Sequence, residues 1–107
     1  MKNKYIVILK DKQKGTLTPE LLNAHVNHLR QLNKSKQLHL CGPFKDNDGA
    51  IQIILSKDLE TAKKLIEQDP FIVNKYYQSY DINELIEANE ENNWLVTDEQ
   101  TSGNLGE

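Results

Sequence analysis

The chain gathers its three histidines and its single cysteine into one stretch, His25 to Phe44, which reads HVNHLRQLNKSKQLHLCGPF. Imidazole is the side chain suited to moving protons near neutral pH, and a thiolate is a strong nucleophile. His25 stands out by its position at the centre of an otherwise apolar helix face, because an imidazole that leaves water must find hydrogen-bond partners. It is either a core histidine bonded to a carbonyl or a chemical group. His28 lies at the edge of the same face, and His39 within a strand reads as structural or exposed. Cys41 reads as a small buried apolar residue, since no cationic neighbour is evident to hold a thiolate. His25 and His28, three apart on a helix, could reach one ion with Asp69 or His39 as a third ligand. That spacing is common by chance, and we expect neither a metal nor a cofactor.

The element that presents His25 is a helix expected from about Pro19 to Asn33. Thr18 offers a hydroxyl cap, Pro19 suits the first helical position, and Glu20 complements the dipole. At about 100° per residue Leu21, Leu22, Leu29 and Leu32 share one arc with His25 near its middle. Before this helix, KYIVILK (4–10) is a short apolar run bounded by charge, which reads as a central strand buried on both faces. After it, NKSKQ ends the helix, and Leu38 to Cys41 reads as a second strand stopped by Gly42 and Pro43.

KDNDG reads as a hairpin turn at Asp48-Gly49, and AIQIIL (50–55) as a third strand antiparallel to the second. Ser56 and Asp58 offer caps for a second helix with Ala62, Leu65 and Ile66 on one side. Asp69-Pro70 ends that helix, because the residue before proline is biased away from helical dihedrals. A short helical turn from Phe71 to Asn74 and a fourth strand, Tyr76 to Ile82, follow. The order is β-α-β-β-α-β, the ferredoxin-like α+β arrangement of a four-stranded antiparallel sheet with both helices on one face.

Composition limits what else the chain can be. With 107 residues, 37% of them hydrophobic, it has material for one core. A deep cavity is then easier to build between subunits, so a homodimer is expected, its second copy covering the other face of the sheet. No apolar run is long enough to span a bilayer and MKNKYIVILKDK lacks the features of a signal peptide, so no membrane role and a cytoplasmic location are expected. One cysteine agrees with a reducing compartment.

All 13 basic residues lie at or before Lys75, against 8 acids, while Asp81 to Glu107 carries 8 acids and no base. The lysines are scattered and no aromatic-rich RNA-binding strand appears, so nucleic acid is not an expected partner. Residues 1–84 are read as the domain and 85–107 as an acidic C-terminal arm and tail. Leu85, Ile86, Trp94, Leu95 and Val96 should pack on the body or the dimer mate. The last stretch, DEQTSGNLGE, is expected to be disordered.

A helix with a histidine on its buried face, a strand ending in Gly42-Pro43-Phe44 and the triplet Asp69-Pro70-Phe71 closing the second helix together resemble the YCII-related, or YciI-like, proteins. The resemblance spans about residues 4–84. It implies a dimeric α/β-barrel type assembly of ferredoxin-like subunits, related to muconolactone isomerases, with a His-Asp pair suspected of catalysis. A dehydrochlorinase of chlorinated hydroxyquinols belongs to that family, and most members have no assigned reaction. Two positions depart from the pattern. The arginine many members carry three residues before the histidine is Leu22 here, so no anionic-substrate role is carried across, and Lys36-Gln37 replaces the glycine usual before the second strand.

The resemblance implies His25 and Asp69 as the catalytic pair, with Gly42, Pro43, Phe44 and Phe71 beside a small-molecule ligand. Asp69 would hold one ring nitrogen of His25 and leave the other free as general base or acid. Proton abstraction next to a carbonyl, isomerisation or elimination on a small carbonyl or phenolic substrate would follow, with no nucleophile required. Backbone amides near Gly42 could stabilise an enolate or phenolate, against the plainer reading of a strand-end turn. The rival expectation is a non-catalytic small-molecule-binding or accessory dimeric domain, and a third is an interaction protein working through its acidic arm. A pocket beside His25 with Asp69 bonded to it favours catalysis. A filled pocket, or an Asp69 turned to its own backbone, favours binding or scaffolding.

Overall fold

The computed structural model describes residues 2–98. In chain order they form β1 (Asn3–Lys12), α1 (Pro19–Lys34), β2 (Leu38–Pro43), β3 (Ala50–Ser56), α2 (Leu59–Glu67), the single-turn α3 (Pro70–Val73) and β4 (Tyr77–Leu85), with a short 3-10 helix at Glu90–Leu95. The strands lie in the order β2-β3-β1-β4, every neighbouring pair antiparallel. This is the ferredoxin-like α+β arrangement expected from the element order.

Side chains alternate across the sheet, and the two faces differ. Tyr5, Val7 and Leu9 of β1 and Ala50 and Ile54 of β3 are buried in one cluster with Leu32 of α1, Ala62 and Ile66 of α2 and Phe71 of α3. The residues between them, Ile6, Ile8, Ile51 and Ile53, point the other way and stay half-buried, with Leu40 of β2 exposed beside them. β1 is therefore central as expected, but within one chain it is covered on one face only. A continuous apolar strand does not reveal whether its second cover comes from the same chain.

The caps are those the sequence offers. Thr18 accepts from the Leu21 amide at 3.1 Å and Asp58 from the Thr61 amide at 2.7 Å. Within α1, Leu32 is buried, Leu21 and Leu29 are half-buried, and Leu22 is 42% exposed. The buried stripe thus excludes Leu22, although the wheel put it inside, because α1 meets the sheet chiefly through the side that carries His25, Leu29 and Leu32.

The β2–β3 connection is an antiparallel hairpin, as expected, with Pro43 paired to Ala50. Its loop is closed by the Phe44 amide donating to the Gly49 carbonyl at 2.9 Å, and Asn47 Oδ1 accepts from the Gly49 amide at 2.8 Å. Gly49 is needed for space: a Cβ there would lie 3.1 Å from the Leu9 carbonyl oxygen. Conversely, Lys36 occupies the left-handed region at φ 61°, where a glycine would sit without strain.

β4 runs to Leu85, past the expected end at Ile82. Beyond it, Lys4 and Glu87 form an ion pair, whereas Ile86, Trp94 and Val96 are exposed, Trp94 by 63%. Of the other arm residues, Leu85 is exposed and Leu95 half-buried. The expected disordered stretch lies mostly outside those residues. Among them, no helix is long and apolar enough to cross a membrane.

Candidate functional site

The site is assembled where α1, β3 and the α2–α3 corner meet. Asp69 sits at that corner, fully buried, as the residue before Pro70 and the N-cap of α3. Its Oδ1 accepts from the Phe71 amide at 2.9 Å and meets Nδ1 of His25 at 2.8 Å. Its Oδ2 accepts from Nε2 of Gln52 at 2.9 Å. One carboxylate thus closes a helical turn, holds a histidine and ties both to the sheet.

Burial alone would push the Asp69 carboxyl up. The hydrogen bond and charge of His25, with the N–H groups of Gln52 and Phe71, more than reverse this and hold it below the ordinary carboxylate range. An ionised carboxylate can only accept, so Nδ1 of His25 carries the proton and Nε2 of the neutral ring is an acceptor. Nε2 makes no hydrogen bond among the described residues.

The ring of His25 stacks face to face on Phe71, centroids 3.7 Å apart and planes within 5°. Phe71 in turn packs at a tilt against Tyr76 and Tyr77. The imidazole is therefore held at one end by a hydrogen bond and on one face by a ring. Beside it opens a pocket of about 210 Å³, whose walls include His25, Gly42, Pro43, Gln52, Phe71 and Tyr77. Among the described residues, no lysine or arginine lines it.

Five of the six residues expected at the site are brought together, namely His25, Asp69, Gly42, Pro43 and Phe71. Phe44 is not among the lining residues, and its backbone closes the β2–β3 loop. Gly42 is a ladder residue paired with Ile51. Its surroundings leave open space for a side chain, so no close approach there requires glycine. Cys41 lines the pocket but is exposed, not buried as expected, because β2 is an edge strand of the sheet; partial desolvation and then the Asp69 charge push its thiol up.

His28 comes closer to the site than its edge position suggested. Its Nε2 is buried with no hydrogen-bond partner among the described residues. Burial lowers its pKa, with the Asp69 charge opposing. Among the described residues, no group of three or more His, Cys, Asp or Glu side chains is arranged to hold a metal ion. Gln52 was missed by sequence reasoning. Its signal was there, a single amide inside the apolar run AIQIIL.

Comparison with known proteins follows the same lines. No curated protein matches the chain. Among solved structures, it is similar to 5-chloro-2-hydroxyhydroquinone dehydrochlorinase from Burkholderia phenoliruptrix in complex with 2,5-dihydroxybenzoquinone. That match has a TM-score of 0.66 at 16% identity and covers 82% of this chain and 97% of that one. At such identity the likeness is one of fold. The model of the YCII-related domain matches residues 3–86, and the chain belongs to that family.

Proposed function

We propose that the protein is a small-molecule enzyme in which His25, held by Asp69, moves a proton on a small carbonyl or phenolic substrate. The observation that carries this reading is the 2.8 Å contact of Nδ1 with a buried carboxylate, which leaves Nε2 unbonded on a residue that lines the pocket. Nε2 takes a proton from a carbon next to a carbonyl or from a hydroxyl, and the imidazolium formed is stabilised by Asp69. Returning that proton to another atom of the substrate completes an isomerisation. Expelling an anionic leaving group, with the proton passed to water, completes an elimination. Phe71 fixes the plane of the ring, and Gly42 and Pro43 contribute to the pocket wall.

The pocket's wholly uncharged flank of apolar residues suits a small neutral ligand better than an anion, in keeping with Leu22 where many members of the family carry arginine. In the same reading a second copy covers the open sheet face around Ile8 and Ile53, and residues 85–107 are an arm whose exposed Ile86 and Trp94 find their cover there.

The test is an NMR pH titration of the histidine ring nitrogens in the wild type and in Asp69→Asn. A fixed Nδ1–H tautomer of His25 that is lost in the variant supports the pair, and an unchanged His25 ends it. With a substrate found by screening, His25→Gln should lose at least about a hundredfold in kcat. Activity surviving that change would remove the acid-base role.

A further inference from the structure

We infer that Gln52 is the specificity-determining residue of the pocket, its amide nitrogen committed to Asp69 and its amide oxygen the acceptor for a hydroxyl or N–H of the ligand. This rests on the pocket reading above but concerns recognition, not proton transfer.

Gln52 lies on the helix-covered face of β3, paired in register with Val7 and Cys41. It is 2% exposed, between Ala50 and Ile54 on the same face. Packing alone would be satisfied by an apolar residue there, since both neighbours on that face are apolar and buried. An amide is kept at the cost of desolvating four hydrogen-bonding positions.

The orientation of that amide is fixed by chemistry. The two-donor end must face the Asp69 carboxylate, because a flipped amide would set oxygen against oxygen. Oε1 is then directed away from Asp69, and it is buried with no hydrogen-bond partner among the described residues. Buried carbonyl oxygens in folded proteins are nearly always paired, so an orphan on a residue that lines the pocket points to a partner that enters with the ligand.

The polarity of the walls says which kind. His25 Nε2 and Gln52 Oε1 both accept, and among the described residues no cation lines the pocket. A ligand satisfying them is neutral and brings a donor. A ligand of the same shape without that donor would leave Oε1 dry and unpaired, a stronger ground for rejection than a poor apolar fit.

Phenol and toluene make the test, being close in shape and differing by the donor. Their affinities are measured by NMR chemical-shift titration of the full chain, with Gln52→Met as a variant of similar length. The wild type should bind phenol at least about tenfold more tightly than toluene, and in Gln52→Met the two affinities should converge to within about twofold. A second measurement needs no variant: in protein labelled with carbon-13 at glutamine, the Gln52 side-chain carbonyl resonance should shift with phenol and stay with toluene.

Equal affinities in the wild type, a preference that survives in Gln52→Met, a carbonyl unmoved by phenol, or no binding of phenol at millimolar concentration would each overturn the assignment. None of these outcomes depends on proton transfer. Loss of the His25 tautomer argument leaves the affinity ratio standing, and loss of the ratio leaves the tautomer standing.

Discussion

The two faces of the sheet are built on opposite terms. The covered face is buried and yet carries a polar island, Gln52 and Asp69, with His25 at its margin. The open face is apolar and yet uncovered within the chain, with Ile6, Ile8, Ile51 and Ile53 half-buried and Leu40 46% exposed. Burying a polar group costs free energy that a hydrogen-bond partner offsets, and leaving a contiguous apolar face in water is costly as well. In the function proposed above, the contrast separates what the chain completes alone from what a ligand or a second copy would complete.

Adjacent residues of β3 break the comparison most sharply. Ile54 is wholly buried on the covered face, so Ile54→Lys places an unpaired charge in the core. It should cost more than about 4 kcal/mol, enough to leave most of the protein unfolded by circular dichroism. Ile53→Lys changes the open face and should leave the subunit folded, with a stability change of about 1 kcal/mol or less. Its effect should appear in sedimentation, where a wild-type dimer falls to a monomer. A wild type that is already monomeric would remove the second copy from the open face.

Next in size is the polar island. Asp69→Ala removes the acceptor of three hydrogen bonds and should cost about 3–5 kcal/mol in urea unfolding. Gln52→Met leaves the carboxylate with its other two partners, so its stability loss should be clearly the smaller. Equal losses would mean that the bond to β3, not the α3 cap, holds the corner.

Acid should dismantle this island in two stages. His28 has a lowered folded pKa, so its contribution is fully present above its unfolded value of 6.5 and is lost as pH falls below it. Asp69 is also lowered, so its contribution is present above 3.8 and is lost as pH falls through its folded value. Stability followed by urea unfolding should therefore decline first below about pH 6.5 and again below about pH 4. His28→Gln should flatten the first decline and leave the second.

The smallest expected effect lies away from both faces. Lys36 holds φ 61°, a conformation that favours glycine over any residue with a Cβ. Lys36→Gly should stabilise the protein by roughly 0.5–1 kcal/mol.

The element order, the helix caps and the break at Asp69-Pro70 were legible because each depends on residues close in sequence. The pairing of His25 with Asp69 was not legible from spacing, since 44 residues separate them, and it entered through the family resemblance. Leu22 was misplaced because a helical wheel shows periodicity but not the angle at which the helix meets its sheet. Gln52 was overlooked inside AIQIIL because hydrophobic runs are read by their majority. Phe44 was grouped with Gly42 and Pro43 as a motif, although the loop closed by its amide takes it out of the wall. Neither strand alternation nor composition distinguishes a face awaiting a partner from a face covered in the same chain.

The parallel stack of His25 on Phe71, with centroids 3.7 Å apart, also has a magnetic consequence. The imidazole protons lie within the shielding region above a benzene ring, so their resonances should fall upfield of those of His28 and His39. The protein therefore carries its own reporter, and one spectrum should distinguish His25 before any substitution is made. A ligand that slides between the pocket wall and Phe71, or turns that ring, should announce itself by relaxing the ring-current shift.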